Sequence, residues 1–452
     1  MKIKIYLFSI LAALSLTACD DFLDITPTGK VIAKTGEEYR ALLTYEYKNF
    51  TKDRYMTTLR TDELPSELKK WTSTDIDAYL DLWRWKDEAP SPTTSYFSWR
   101  NYYHTIYIAN YVIEHKDEIT DATKAEINQL VGESYMLRAY SHFLLVNLYA
   151  EPYTHCEPAT TRGVPMQLQA DVNAVPGCSS VQAVYEQVLA DLAEAEKYLT
   201  IDEWEKGKNY RFNRASAQAL RARTYLYMGE WEEALAAAQV VLEAYNELED
   251  LNSSSSILPN SYKSVESIVS LERYSSNLST AVSVPSDGLL NLYRSGDQRG
   301  AAAKKYYKYE PKPLPGGYVV LKAGKDDCVS TFRTAEMYLT AAEAAARIGD
   351  TNAAIEYLVP IMEKRLNTSA YNTTMGLMEA MTQEELVQEI LDERARELAF
   401  EGHRWYDLRR TTRPALTRIY NGETFTLTPE KYTMRFPGEA VAANPEIERW
   451  DK

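Results

Sequence analysis

The feature that most constrains this chain is a two-helix spacing written twice. Residues 213–243 place Tyr225, Gly229, Trp231 and Ala234 in the pattern Y-x3-G-x-[WY]-x2-A. Residues 335–364 keep Ala345, Gly349 and Ala354 at the same offsets. Each glycine suits the tight turn between two helices, and each alanine lets the second helix approach the first closely. Hairpins of this kind cannot bury their apolar faces alone, so they must stack on one another. The chain is therefore expected to be mainly α, with no self-standing sheet domain.

The spacing is that of the tetratricopeptide helical hairpin. Residues 127–199 follow the same two-helix logic with a long loop between the helices. In the first of these, a long predicted helix over 121–149, Ile127, Leu130, Leu137, Leu144 and Leu148 fall at helical steps. In the second, 181–199, Val184, Val188, Leu192 and Ala195 do the same. A further helix is expected over 382–403, opened by Thr382 with Glu385 three residues on and closed by Gly402. The helical scaffold thus occupies about 121–249 and 329–410. Two irregular regions interrupt it. One, about 51–100, is rich in aromatics and broken by Pro65, Pro90 and Pro92. The other, about 250–328, holds a serine run at 253–256, a strand-like alternation at 267–271, and Pro311, Pro313, Pro315, Gly316 and Gly317.

The first residues read as a targeting segment. Lys2 and Lys4 precede an apolar stretch over 6–16, too short to span a bilayer, and Leu16-Thr17-Ala18-Cys19 resembles a bacterial lipobox. Residues 1–18 are expected to be a removed signal peptide, leaving 19–452 held to a membrane only by lipid on Cys19. Three cysteines remain, Cys156, Cys178 and Cys328, without a C-x-x-C pair. Cys156 and Cys178 flank one loop and either pair or stay as thiols.

Charge and motifs narrow the function. Lys+Arg total 50 against 65 Asp+Glu, a net −15, which argues against a nucleic-acid partner. The chain lacks G-x-S-x-G, H-E-x-x-H, a Walker A loop and G-x-G-x-x-G. Its five histidines show no ligand spacing. No catalytic residue, metal or cofactor is assigned. Glu397, Glu401, His403, Arg404, Asp407 and Arg409 lie close together, and their density reads as structural ion pairing across a turn rather than as catalysis. Asp297-x-Arg299 reads the same way.

The irregular regions are the binding candidates. Tyrosines number 34 against 10 phenylalanines, so most rings carry a polar tip. A flat ring packs on the C–H face of a sugar while nearby carboxylates or guanidinium groups hold its hydroxyl edge. The first region offers Asp62, Trp71, Tyr79, Trp83 and Trp85; the second offers Tyr274, Tyr293 and Arg294. Trp83 and Trp85 would point to one face of an extended segment, side by side. At least one of Trp71, Trp83 and Trp85 is expected to be exposed on the face opposite the repeats; burial in the core is the competing reading.

Three segments together resemble the SusD-like (RagB/SusD) nutrient-binding lipoproteins. They are CDDFLDITP at residues 19–27, the stretch ERARELAFEGHRWYDLRR at 393–410, and Phe436-Pro437 with Asn444-Pro445 near the end. Phe436 replaces the usual isoleucine, and the customary QNPGY ending is absent. The resemblance implies a surface lipoprotein of the outer membrane that works as a lid on a TonB-dependent, SusC-like transporter and captures oligosaccharides, or peptides in some members. It implies a ligand groove between the two irregular regions and a tetratricopeptide-like scaffold behind it. A surface-attached glycan hydrolase is the alternative.

Overall fold

Side-chain caps open the long helices. Thr35 with Glu38, Thr123 with Glu126, Asn213 with Ser216 and Thr382 with Glu385 each form a reciprocal capping box, satisfying backbone N–H groups that the first turn leaves without partners. The computed structural model describes residues 33–51, 53–67, 78–87, 97–273, 284–310, 318–322 and 328–448. Its main helices are α1 (Gly36–Asn49), α2 (Trp99–Glu114), α3 (Lys124–Tyr149), α4 (Val181–Tyr198), α5 (Arg214–Met228), α6 (Trp231–Ala244), α7 (Thr334–Arg347), α8 (Thr351–Arg365), α9 (Thr368–Met378), α10 (Gln383–Glu397) and α11 (Arg404–Arg410).

The hairpins stack as their spacing requires. α3 packs on α4, α5 on α6, α6 on α7, and α7 on both α8 and α10. Gly229 turns the chain at φ 80° and Gly349 at φ 91°, a region that favours glycine. Ala234, Ala238, Ala345 and Ala354 are fully buried at the helix crossings. One core runs from α1 through α6 to α11 and takes in aromatics of the irregular regions; a second, with Leu339, Leu358, Ile361 and Ile390, fills α7 to α10.

Strands are short: β1 (Arg162–Pro165), β2 (Cys178–Ser180), β3 (Ser267–Val269), β4 (Glu272–Arg273), β5 (Tyr307–Tyr309), β6 (Tyr318–Val320), β7 (Cys328–Val329), β8 (Phe332–Arg333), β9 (Leu416–Tyr420) and β10 (Glu423–Leu427). Among the described residues they pair only two by two, always antiparallel: β1 with β2, β3 with β8, β4 with β7, β5 with β6 and β9 with β10.

Two local expectations are corrected. The helix expected to reach His403 stops at Glu397. Residues 398–403 form a turn instead, with Phe400 at φ 59° and Gly402 at φ 68°. Contact with the first irregular region causes this: Glu63 Oε1 accepts the Phe400 N–H at 2.7 Å, and a Cβ on Gly402 would lie 2.6 Å from the Arg54 carbonyl oxygen. The region 51–100 is not wholly irregular, since Asp53–Met56, Thr57–Arg60 and Leu80–Trp83 are helical turns. α9, capped by Asn367, was not anticipated. Cys156 and Cys178, left open by the sequence, are not joined to each other.

Candidate functional site

The two irregular regions meet. Ser286 donates its N–H to the Glu63 carbonyl at 2.8 Å and its Oγ–H to the Asp62 carbonyl at 2.6 Å. The β9–β10 hairpin closes on the same segment, where the Ile419 N–H reaches the Ser66 carbonyl at 2.8 Å. The seam carries Asp62, whose carboxylate takes two parallel bonds from Arg404, Nε at 2.8 Å and Nη2 at 2.7 Å. Burial disfavours the Arg404 charge, yet Asp62 outweighs it and holds the guanidinium above its usual range. Behind it Glu63 is buried and pushed up to about 7, chiefly by desolvation, against the Phe400 N–H that favours its charge.

Beside this seam, β5 and β6 form an antiparallel pair with Tyr307 opposite Val320 and Tyr309 opposite Tyr318. Strand alternation puts these four on one face. The inner two, Tyr307 and Val320, are buried, and the Tyr307 ring reaches Phe400 at 6.4 Å. The outer two run past the edge of the core. Tyr309 is 58% exposed, and the Tyr318 ring braces it at 5.3 Å with the planes at 65°. This aromatic pair was missed in the sequence. The signal was there: Tyr307-Lys308-Tyr309 and Tyr318-Val319-Val320 flank a stretch holding three prolines and two glycines, a hairpin pattern.

The sequence candidates divide. Trp71, Tyr274 and Cys19 lie outside the described residues. The expected exposure of Trp83 and Trp85 is corrected: they are 1% and 2% exposed. The segment is not extended. Trp83 ends a helical turn, and Trp85 sits at φ 55°, its indole Nε1–H held by the Arg60 carbonyl at 3.0 Å. The two rings do lie close together, but the guest between them is Arg418, whose guanidinium carbon is 4.7 Å from one ring centroid and 4.4 Å from the other. Arg418 also donates to the carbonyls of Leu59, Trp83 and Thr61. Tyr79 is buried as well. Tyr293 uses its hydroxyl on Tyr307 at 2.8 Å and on the Arg396 carbonyl at 2.9 Å. Arg294 is half-buried and pairs with Glu389 at 2.7 Å.

The acidic and basic cluster at 393–410 is a structural network. Glu397 accepts from Arg333, Arg365 and Arg299; Glu401 from Arg333 and Lys322; Asp297 from Arg299. Most of these partners come from other elements rather than from across the turn; Arg394 with Asp407, at 2.9 Å, is the pair that does cross it. His403 is kept neutral, first by burial and then by Arg54, which donates Nη2–H to its Nε2 at 2.5 Å. No group of three or more potential metal ligands occurs among the described residues.

A helical-hairpin scaffold carrying two irregular regions that meet at a seam, with an aromatic pair beside it, is the architecture of the SusD type. The comparisons agree. A family model described as SusD family matches residues 281–444, and one described as starch-binding associating with outer membrane matches 21–226. A SusD-like protein of Formosa agariphila is 26% identical, over 90% of this chain and 91% of its own length. A SusD superfamily crystal structure from Bacteroides thetaiotaomicron superposes with a TM-score of 0.73 at 22% identity, covering 91% of this chain and 99% of the other. A laminarin binding SusD-like protein superposes at 0.63 with 20% identity, covering 84% and 92%. The chain belongs to the SusD-like (RagB/SusD) family.

Proposed function

We propose that this chain is a non-catalytic glycan-binding lipoprotein of the outer-membrane surface, anchored through Cys19, that delivers oligosaccharides to a TonB-dependent, SusC-like transporter. The observation that carries the binding role is the Tyr309–Tyr318 pair, an exposed aromatic surface beside the seam of the two irregular regions. An exposed phenol ring packs on a sugar face, and Asp62, Arg404 and Arg294 supply polar groups nearby in the fold. The family's description as starch-binding and associating with the outer membrane, and the laminarin-binding neighbour, support the ligand class and the location. No helix among the described residues is long and apolar enough to cross a membrane, which accords with lipid anchoring. The non-catalytic reading is supported by the family's description, which names binding and not hydrolysis.

A glycan and peptide array, followed by titration of each hit, tests the reading. At least one oligosaccharide is expected to bind and to be recovered intact. Tyr309→Ala and Tyr318→Ala should each weaken it by about 1–3 kcal/mol, by analogy with the range for nucleobases stacked on aromatic side chains. Release of shortened chains by the pure protein, abolished by one carboxylate substitution, would establish the hydrolase instead. Binding of peptides alone would move the ligand class.

A further inference from the structure

A cavity of about 390 Å³ opens where α1 and α3 begin side by side. The two starts are stitched together: the Gly36 N–H reaches the Thr120 carbonyl at 2.8 Å, and a Cβ on Gly36 would lie 2.5 Å from Ala122 Cβ. The third wall is the segment after α4. Gln129 Oε1 holds it by accepting the N–H groups of Thr200 at 2.8 Å and Ile201 at 3.1 Å. That segment brings Trp204 to the cavity. Its indole is oriented from two sides, with Nε1–H on the Phe212 carbonyl at 3.1 Å and the Arg211 guanidinium 5.1 Å from the ring centroid. None of these residues belongs to the β5–β6 surface or the seam.

The lining has a definite chemistry. Trp204 contributes an apolar plate whose only donor is already used. Glu37 and Asp121 are exposed acceptors at the rim, and Arg40, fixed by Glu133 at 2.7 Å, adds a donor. Carboxylates outnumber the guanidinium, which rejects an anion. Ala122, Ala125, Leu130 and Ile201 add apolar surface around the ring, and the charged groups at its edge set the cavity apart from an aliphatic-chain site. A fixed aromatic plate edged by acceptors and a donor matches a neutral sugar, with an apolar ring face and hydroxyl edges. The volume lies at the lower end of the roughly 300–1,000 Å³ of small-ligand sites, so a short saccharide fits rather than a polymer.

We infer that this cavity is a second saccharide site, distinct from the aromatic β5–β6 pair, taking a neutral mono- or disaccharide over Trp204 with its hydroxyls on Glu37, Asp121 and Arg40. The test uses the full-length lipoprotein in a non-glycosidic detergent with maltose, cellobiose and laminaribiose as probes. Hydrogen exchange and calorimetry are read on the parent and on Trp204→Ala, Asp121→Asn and Tyr309→Ala. Asp121→Asn should fold normally, because position 121 sits at φ 51° and asparagine tolerates that conformation. At least one probe is expected to slow exchange in 36–41, 121–130 and 200–204. Trp204→Ala and Asp121→Asn should each weaken that binding by about tenfold or more, while Tyr309→Ala leaves it unchanged. If Trp204→Ala does not fold, Asp121→Asn decides alone. No protection of these segments, or protection that Asp121→Asn leaves intact, overturns the second site. Protection at the β5–β6 pair alone does so while sparing the proposed function; a protein that binds no glycan in array or titration loses both.

Discussion

Replacing Glu397 by glutamine tests whether the 393–410 segment is a structural hub. Glu397 is fully buried at the end of α10. Its Oε1 accepts from Arg333 Nη1 at 2.8 Å and Arg365 Nη2 at 2.9 Å; its Oε2 accepts from Arg299 Nη1 and Arg365 Nε, both at 2.9 Å. These bonds join a connected network of six basic groups, Arg294, Arg299, Lys322, Arg333, Arg365 and Arg396, and six acidic ones, Glu266, Asp297, Glu389, Glu393, Glu397 and Glu401. Glutamine has the same shape, but its amide nitrogen would face two N–H donors and the charge balance would break. Two charge-assisted bonds at about 1.5–3 kcal/mol each agree with the roughly 3–5 kcal/mol for breaking a buried ion pair. For a chain of this length the melting temperature should fall by about 3–5 °C, at roughly 1.1 °C per kcal/mol. Burial opposes the Glu397 charge, but Arg365 and Arg333 outweigh it and hold its pKa well below the usual carboxylate range. A depressed carboxylate stabilises above its unfolded pKa and loses that contribution only as pH falls through the folded value. The deficit of Glu397→Gln should therefore persist at mildly acidic pH. Thermal melts of parent and variant, alongside glycan titration, read it out. An unchanged melting temperature with lost affinity would refute the structural role and put the carboxylate in the binding site.

Burial pushes Asp53 up to about 7 from an ordinary 3.8, despite its bonds from Ser98, so the folded state binds the extra proton across that window. Its contribution to stability should decline by on the order of 4 kcal/mol as pH rises from about 4 to 7 and stay level above; Asp53→Asn should melt higher than the parent at pH 8 and flatten that slope. Trp83→Ala and Trp85→Ala should each cost about 3–5 kcal/mol of stability, since both rings are core and flank Arg418; a titration showing weaker affinity at unchanged melting temperature would contradict this. Ala234→Leu and Ala354→Leu should overpack their helix crossings by about 1–3 kcal/mol, measured by denaturant unfolding. Cys19→Ala should move the protein from the membrane fraction to the soluble one.

The sequence alone determined what depends on near neighbours. The α5–α6 and α7–α8 hairpins were legible because their turns and small-residue contacts repeat within about thirty residues, and the start of α10 was legible because its capping box, Thr382 with Glu385, is four residues long. The network role of Glu397 and Asp297 was legible from charge density, since unpaired charges in a core are too costly to persist. Only the tertiary structure decided the partners. Trp83 and Trp85 were expected to stand exposed on an extended segment, but both pack on Arg418, more than three hundred residues away along the chain, so nothing local distinguished a guanidinium from a sugar. The 382–403 helix ends early because Glu63 and Arg54 compete for its last turn from the far end of the sequence. Tyr307 and Tyr309 share a strand face; one is core and the other open because the core runs out between them, a boundary set by packing of Phe400 and not by either residue.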